Sequence, residues 1–297
     1  DHVGEAVIYG DTDSVYFSAW PAIKAEVEAG EMTWDRDTCI KLYDTIADRV
    51  NDSFPAFMER AFHCPRDMGA IIKGGRELIA EKGLFITKKR YAVLIFDLEG
   101  KRLDVDGKPG KVKAMGLDLK RADTPKYVQE FLMDILKMVI QQGKGRDDVI
   151  SAIKEFKHEL ASQDSWTKGS PKSVNNLSNH TTTWEKTGKC GVGHAMAAIN
   201  FNYLRKLYND NYSMRIIDGM KIVVCKLKPN PLKMTSIAYP TDELRLPQWF
   251  IELPFDDEAM ERTLVDEKVE NLLGVLNWDL RSNTDIKSTF DDSFSFG

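Results

Sequence analysis

Apolar and polar positions near the start of the chain follow the pattern of a β-hairpin. Two short runs, AVIY at 6–9 and SVYF at 14–17, are rich in β-branched and aromatic residues, and GDTD separates them. Gly and Asp are typical turn residues. The pattern predicts a buried hairpin with Asp11, Thr12 and Asp13 at its tip. A second strand pair is predicted over 83–100, on either side of a Lys-Lys-Arg sequence.

Between these strand pairs, residues 36–62 carry apolar side chains at helical spacing. The apolar positions are Ile40, Leu42, Tyr43, Ile46, Val50, Phe54 and Phe57. This spacing predicts a helix packed on the sheet that carries the hairpin. Because proline has no backbone N–H to donate, we expect the helix to bend or break near Pro55.

The second half of the chain has mainly helical periodicity. Asp123 or Thr124 is expected to cap a helix with Pro125 in its first turn, and Gly143 is expected to end it. Further helices are predicted over 146–162 and 194–210, and residues 214–239 are expected to be extended. Strands followed by helices predict an α+β fold.

The composition sets broad limits on function. The chain has 297 residues, of which 42% are hydrophobic and 29% charged, with a net charge of −5. This is typical of a globular protein with a core, and the total charge does not indicate a nucleic-acid binder. The four cysteines are far apart and form no CxxC pair, which favours a reducing compartment. No apolar run reaches the ~20 residues of a membrane span, so we expect no membrane partner.

The paired aspartates at the hairpin tip are the first candidate chemistry. Side chains two positions apart on a strand share a face, so Asp11 and Asp13 are expected to point the same way. Two close carboxylates repel each other unless a cation lies near them, and oxygen ligands of this type favour magnesium. The alternatives are a solvated turn and a calcium loop. A calcium loop would need other residues at its fifth, sixth and twelfth positions, where the chain has Val15, Tyr16 and Ala22.

The second candidate is the basic sequence Lys88, Lys89, Arg90, followed directly by Tyr91. Residues 82–96 contain four basic side chains and no acidic one. Such side chains can neutralise phosphates or reach acceptors in a minor groove. The alternative is an exposed basic edge that prevents unwanted strand pairing.

YGDTDS followed some seventy residues later by KKRY resembles the family B DNA polymerases. The first matches their C motif in the palm, and the second matches their basic motif, which touches the primer-template duplex. Later segments resemble, in order, the palm exit and thumb of T-even-like bacteriophage replicative polymerases. These segments are KVKAMGLDLKRADTPKYVQ (111–129), KSVNNLSN (172–179), HAMAAINFN (194–202) and TSIAYPTDE (235–243).

The resemblance implies a set of site residues and partners. Asp13 is expected to be a direct ligand in a two-metal magnesium site, and Asp11 to tune that site or bind less directly. Thr12 is expected to lie against the primer terminus. Lys88, Lys89, Arg90 and Tyr91 are expected to contact primer-template DNA, with a deoxynucleoside triphosphate as the second substrate.

The resemblance also implies that much of a polymerase is missing from this sequence. The earlier palm aspartate motif, D-x-x-S-L-Y-P, is absent, as are the lysine-bearing fingers helix and the exonuclease domain. The chain also begins abruptly, with Asp1 a few residues before a strand. We therefore expect a C-terminal part of the palm over 1–120, a mostly helical thumb with a small extended region over 121–280, and a tail over 281–297. An N-terminal polymerase part is the expected partner, and both a natural split subunit and a fragment are open.

Charge is distributed unevenly along the thumb-like half. Residues 221–233 hold four lysines and no acid, whereas 242–270 hold ten acidic residues against three basic ones. One basic face for duplex and one acidic back would give this pattern, and ordinary surface variation is the alternative. Short neutral donors at 170–176 are also candidates for phosphate contact. The DNA-binding candidates among them are Ser173, Asn175 and Asn176, and the alternative is a plain Asn-rich loop.

The last segment, STFDDSFSFG, resembles the short tail by which such polymerases hold their sliding clamp. It is polar and acidic, yet it carries Phe290, Phe294 and Phe296, which could enter an apolar pocket on a partner. A frayed end folded back onto the thumb is the alternative.

Four further predictions concern two glutamates, a zinc site, an alternative function and the location. Glu77 and Glu99 fall where related phage polymerases carry acids near the metal site, although Gly75 replaces an acid found there. A zinc site at His180, Cys190 and His194 is a weaker alternative, because their spacing is uneven and a fourth ligand is missing. The function alternative is a non-catalytic DNA-binding and clamp-tethering module. The expected location is the cytoplasm of an infected bacterial host.

Overall fold

The computed structural model describes residues 6–280 and divides the chain into two compact units between Met115 and Gly116. Each unit combines helices with antiparallel sheets, so the predicted α+β class is confirmed. Within residues 6–280, none of the helices combines the length and apolar character needed to cross a membrane.

The first unit begins with the predicted hairpin, formed by β1 (Val7–Gly10) and β2 (Val15–Phe17). These strands pair antiparallel, with Tyr9 opposite Tyr16, and form a two-stranded sheet of their own. The prediction of a buried hairpin is wrong for part of its surface. Val7, Ile8 and Val15 are 46%, 52% and 54% exposed, because the hairpin packs on neighbouring side chains mainly through its tyrosine rings.

A separate four-stranded sheet has β4 at its centre. Its strands are β3 (Leu78–Thr87), β4 (Arg90–Leu98), β5 (Lys101–Arg102) and β6 (Lys111–Met115). β4 pairs with β3 along one edge and with β5 and β6 along the other. Every residue from Ala92 to Asp97 is buried, which makes β4 the most enclosed strand of this unit. The turn between β3 and β4 is the predicted basic sequence.

Three helices complete the first unit: α1 (Trp20–Glu28), α2 (Arg36–Phe62) and α3 (Arg66–Gly69). Of the predicted bend or break near Pro55, the break does not occur, since the helix is continuous for 27 residues. It packs on the four-stranded sheet, where Cys39 lies in a small core with Ile79 and Phe96. It also packs on the hairpin as predicted, since the Tyr43 ring lies 5.3 Å from that of Phe17 in β2, centroid to centroid. Side chains of α2 form ion pairs to the sheet region, including Arg36 with Asp104.

The second unit is built on an antiparallel sheet of β7 (Ser170–Ser173), β8 (Lys221–Lys226) and β9 (Ser236–Pro240), with β8 in the middle. The predicted extended stretch therefore supplies two strands. The sheet packs against helix α7, and Phe201, Ile222, Ile237 and Phe250 are almost completely buried in this core.

The helices of the second unit are α4 (Lys126–Leu136), α5 (Arg146–Ala161), α6 (Leu177–Thr187), α7 (Gly193–Leu207), α8 (Gln248–Ile251), α9 (Asp257–Glu261) and α10 (Glu267–Leu273). The predicted helices over 146–162 and 194–210 are confirmed. The cap prediction for α4 is wrong, because Pro125 itself occupies the cap position and the helix begins at Lys126. Helix α6 and the helices after residue 247 were not predicted from the sequence.

Candidate functional site

The structure brings the turn of the first hairpin next to the basic turn between β3 and β4. The backbone N–H of Lys89 donates to the Tyr9 hydroxyl at 3.0 Å, and that hydroxyl donates to Asp11 Oδ2 at 3.3 Å. Lys89 Nζ lies 3.7 Å from Asp11 Oδ1. The two motifs that stand out in the sequence thus form one local site in the first unit.

Four aromatic rings next to the two turns pack against each other and connect the two strand pairs. Tyr9 and Tyr16, from the hairpin, meet Phe85 and Tyr91, which flank the basic turn. Phe85 and Tyr91 stack with ring centroids 5.6 Å apart, and the Tyr16 hydroxyl donates to that of Tyr91 at 3.2 Å. Burial raises the pKa of Tyr16, so its hydroxyl stays protonated at neutral pH. This aromatic cluster fixes the hairpin on the β3–β4 pair.

Asp11 is the carboxylate that the turn holds in place. Its side chain accepts the Thr12 backbone N–H at 2.9 Å and the Tyr9 hydroxyl, and the Thr12 bond does most to lower the pKa of Asp11. The Asp11 backbone N–H donates to the Ser14 carbonyl at 2.8 Å, which closes the turn. Thr12 and Asp13 are exposed at its tip. The arrangement presents an ionised, oriented Asp11 and an accessible Asp13.

The basic turn has a constrained backbone. Lys89 has φ of 62°, in the left-handed region that non-glycine residues seldom adopt. The bond from its N–H to Tyr9 helps to hold this conformation. The side chains of Lys88 and Lys89 are exposed, whereas Arg90 and Tyr91 are half-buried. Of the predicted DNA contacts here, the two lysines are therefore the most accessible.

The donor set at the hairpin turn fits part of a site for a divalent cation. Asp11 and Asp13 offer hard carboxylate oxygens of the kind that Mg²⁺ takes, and the approach of Lys89 shows that positive charge is stabilised there. Among residues 6–280, no three His, Cys, Asp or Glu side chains converge on one possible metal position. A cation at this turn would need a further donor from elsewhere.

The two glutamates proposed near the metal site lie along the same sheet. Glu77 pairs with Lys113 at 2.8 Å, and Glu99 has a left-handed backbone with φ of 51°. The Glu99 N–H donates to the Glu77 carbonyl at 2.7 Å, so the backbones of the two residues are adjacent. The ion pair gives Glu77 a structural partner within the sheet.

In the second unit, the predicted polar contacts follow the end of β7. Ser173, Asn175 and Asn176 are all exposed, and Asn176 has a left-handed backbone directly before α6. Close to them, Lys172 pairs with Asp123 at 2.9 Å. The three neutral donors therefore lie together on an accessible loop.

The zinc alternative has no support from the described geometry. His180, Cys190 and His194 do not form a metal-binding group within residues 6–280. Burial lowers the pKa of His194, and the nearby charge of Lys172 lowers it further, so this imidazole is neutral at pH 7.

Known viral DNA polymerases are similar to much of this sequence. No family model matches the chain. The DNA-directed DNA polymerase of Escherichia phage RB69 is 28% identical over 250 residues, which cover 80% of this chain and 26% of that protein. The polymerase of Enterobacteria phage T4 is 28% identical over 160 residues, or 54% of this chain and 17% of that protein. DNA polymerase 037L of Invertebrate iridescent virus 6 is 24% identical over 160 residues.

The chain is a relative of the T4-like phage DNA polymerases. It spans about a quarter of the length of the RB69 polymerase and less of the T4 polymerase. The resemblance noted in the motifs is thereby confirmed as a likeness to part of such a polymerase.

Three aromatic residues of the site were not predicted from the sequence, and three other candidate residues lie outside the described part of the chain. Tyr9, Tyr16 and Phe85 were not predicted, although Tyr9 begins the YGDTDS motif and the hairpin pattern places the two tyrosines on facing strands. The three candidate clamp-binding residues, Phe290, Phe294 and Phe296, lie outside the residues that the structure describes.

Proposed function

We propose that this chain is the C-terminal part or subunit of a replicative DNA-directed DNA polymerase, and that it supplies one half of the nucleotidyl-transfer site. The observation that carries the proposal is the contact between the two turns, through Tyr9, Asp11 and Lys89. A carboxylate turn placed against a basic turn suits a reaction that joins a triphosphate to a primer on duplex DNA. The polymerase relatives support this assignment.

In this proposal Asp13 is the direct magnesium ligand, and Asp11 completes or tunes the site. Mg²⁺ would supply charge neutralisation of the triphosphate and activation of the primer hydroxyl in a two-metal arrangement. Asp11 is already ionised and oriented by Thr12 and Tyr9, so the protein has fixed this oxygen before any cation arrives. A further metal-binding aspartate would come from the N-terminal polymerase part.

The DNA contacts are assigned to two surfaces. On the first unit, Thr12 faces the primer terminus, and Lys88, Lys89 and Arg90 contact the duplex, while Tyr91 positions the basic turn from within the aromatic cluster. On the second unit, Ser173, Asn175 and Asn176 contact phosphates. The palm portion is then 1–120 and the thumb 121–280, close to the division at Met115 and Gly116. A deoxynucleoside triphosphate is the second substrate.

An exposed apolar surface on the first unit supports the need for an N-terminal part. Near the end of α2, Phe57 and Phe62 are 48% and 65% exposed, and Ile71 beyond α3 is 70% exposed. Asn51 exchanges two hydrogen bonds with Gly74, which folds the segment after α3 back along α2. Large exposed apolar patches mark interaction sites. We assign this distal α2 surface (Val50, Phe57, Phe62, Met68, Ile71 and Ile72) to the complementary polypeptide.

The tail over 281–297 is proposed to bind the sliding clamp through its phenylalanines. By this proposal the protein acts in the cytoplasm of the infected host. The second candidate function is a non-catalytic DNA-binding and clamp-tethering module. It is favoured by one observation: among residues 6–280, no three His, Cys, Asp or Glu side chains come together at a possible metal position.

The test is assembly and primer extension with the complementary polypeptide (exonuclease, early palm and fingers). The chain alone should not extend a primer, and the mixture should do so in a magnesium-dependent way. Phe57→Glu with Ile71→Glu should prevent assembly, whereas Leu244→Glu, at a fully exposed position of the second unit, should not. Extension by the isolated chain would contradict the need for a partner. Assembly without any extension would favour the tethering module.

A further inference from the structure

Lys89 lies beside the proposed cation site and also belongs to the proposed DNA contact. Its ammonium lies 3.7 Å from Asp11 Oδ1, yet 66% of its side chain is exposed, against 26% for Asp11. Asp11 is one of the two carboxylates proposed for the divalent-cation site, and Lys89 is a basic group proposed for duplex DNA. The same lysine therefore touches the carboxylate while remaining open to solvent.

An ammonium and a divalent cation compete for the same carboxylate oxygen. An exposed ion pair of this kind is weak, so a doubly charged ion can replace the ammonium at Asp11. A lysine side chain is a point charge on a flexible stem, so it can leave Asp11 without any change in the backbone.

The backbone of the basic turn is held separately from that side chain. The Lys89 N–H is bound to the Tyr9 hydroxyl at 3.0 Å, and Tyr9 also donates to Asp11. The aromatic cluster holds Tyr9 through rings from both strand pairs. Movement is thus confined to the lysine side chain, and the released ammonium stays beside the turn.

We propose that Lys89 is a shared counter-ion: it neutralises Asp11 while no divalent cation is bound, and it turns to duplex DNA when a cation takes its place. This inference rests on the proposed function, which assigns both the divalent cation and the duplex DNA to this site. Tyr9 is the positioning residue that keeps both turns within reach of one lysine. Since coupling between two ligands is reciprocal, duplex DNA should in turn strengthen cation binding at this turn.

The test uses Mn²⁺ as the probe and the full chain as the protein. Paramagnetic broadening of the Thr12 amide NMR signal reports a cation at the turn itself. Lys89→Met is compared with Lys88→Met, which removes the same charge from the neighbouring exposed lysine. Unchanged amide shifts of Tyr9 and Ser14 serve as the control for an intact turn.

Without DNA, Lys89→Met should bind Mn²⁺ about fivefold more tightly than the wild type, which is the effect of one unit charge at about 4 Å in water. Lys88→Met should change the affinity by less than about twofold. Saturating primer-template duplex, at matched free Mn²⁺, should tighten Mn²⁺ binding in the wild type and in Lys88→Met but not in Lys89→Met.

Two results would overturn the proposal in different ways. Equal Mn²⁺ affinities in the two lysine variants would remove the shared counter-ion and leave the proposed function standing. Absence of Thr12 broadening in every variant, with the complementary polypeptide also present, would remove the cation site and the proposed function together.

Discussion

Tyr91 follows the basic turn directly, and the sequence favours a DNA contact for it. In the structure its ring stacks on Phe85 and lies 5.2 Å from that of Tyr16, centroid to centroid. Its hydroxyl accepts a bond from Tyr16. The contacts give Tyr91 a supporting role for the turn, which leaves Lys89 and Lys88 as the groups best placed to reach a ligand.

Substitutions at Tyr91 should show whether its ring stabilises the basic turn or contacts DNA. Tyr91→Ala should lower the free energy of unfolding by about 2–4 kcal/mol, because a half-buried aromatic ring is removed from the cluster. Tyr91→Phe keeps the ring and should cost less than about 1 kcal/mol. Urea unfolding of the full chain measures both. Equal, small losses in the two variants would contradict a supporting role.

Lys89→Ala should weaken binding of primer-template duplex by the assembled polymerase. If Lys89 contacts a phosphate, the slope of log K against log salt should become shallower by about 0.9. If it meets a minor-groove acceptor, affinity should fall with the slope nearly unchanged. Fluorescence anisotropy across a salt series measures both quantities. An unchanged affinity and slope would show that Lys89 does not contact DNA.

At the scale of elements, the sequence predicted those whose apolar spacing is regular. The hairpin, α2, α5, α7 and the extended stretch all have clear periodicity. Helix α6 was missed because its sequence, LSNHTTTWEKT, is poor in helix formers and buries mainly Leu177. Its threonine hydroxyls bond to carbonyls four residues earlier, as Thr181 does to Leu177 at 2.8 Å. The helix therefore depends on tertiary packing that the local sequence does not show.

The candidate site was predictable in its residues but not in its contacts. Asp11, Asp13 and the basic turn were identified from residue type and spacing. Their connection through Tyr9 depends on the packing of two separate strand pairs, which no local pattern encodes. The exposure of Ile8 and Val15 was also unpredictable, since it depends on what covers that face.

The loop after α7 offers a test of one element's stability. Asp210 accepts hydrogen bonds from the Ser213 and Tyr212 backbone N–H groups, from the Ser213 hydroxyl and from Trp249 Nε1. Burial acts to raise the pKa of Asp210, but these bonds outweigh it and lower the pKa to about 2. Asp210→Asn should therefore destabilise the protein by about 1–3 kcal/mol at pH 7.

The pH dependence of that loss has a definite sign. Because the folded pKa lies below the ordinary value of 3.8, the contribution is fully present above about pH 4 and is lost as the pH falls toward 2. The difference in urea midpoint between wild type and Asp210→Asn should shrink over this window. A difference that stays constant down to pH 2 would contradict the assignment.

At the scale of the whole molecule, the chain is similar to part of the T4-like phage DNA polymerases. In the first unit the β4 residues Ala92 to Phe96 are buried, whereas Phe57, Phe62 and Ile71 leave apolar surface exposed. The proposed function assigns this exposed surface to the N-terminal part. The proposed partners, the N-terminal part and the clamp, can be removed one at a time.

Truncation after Lys287 should remove clamp-dependent processivity and leave distributive synthesis by the assembled polymerase intact, because aromatic anchors carry most of the energy of such a contact. Product lengths with and without the clamp measure the two activities. A full-length control with the phenylalanines retained and Asp291 and Asp292 changed to Asn tests whether the rings or the charges matter. Clamp stimulation that survives the truncation would exclude the tail as the tether.

The most direct test of the proposed function is the single-turnover rate of nucleotide incorporation by the assembled polymerase carrying Asp13→Ala. The proposal predicts a rate lower by several orders of magnitude, with duplex affinity nearly unchanged. Asp52→Ala, at an exposed position of α2 away from the turn, should keep the wild-type rate. An Asp13→Ala rate equal to that of Asp52→Ala would contradict the account.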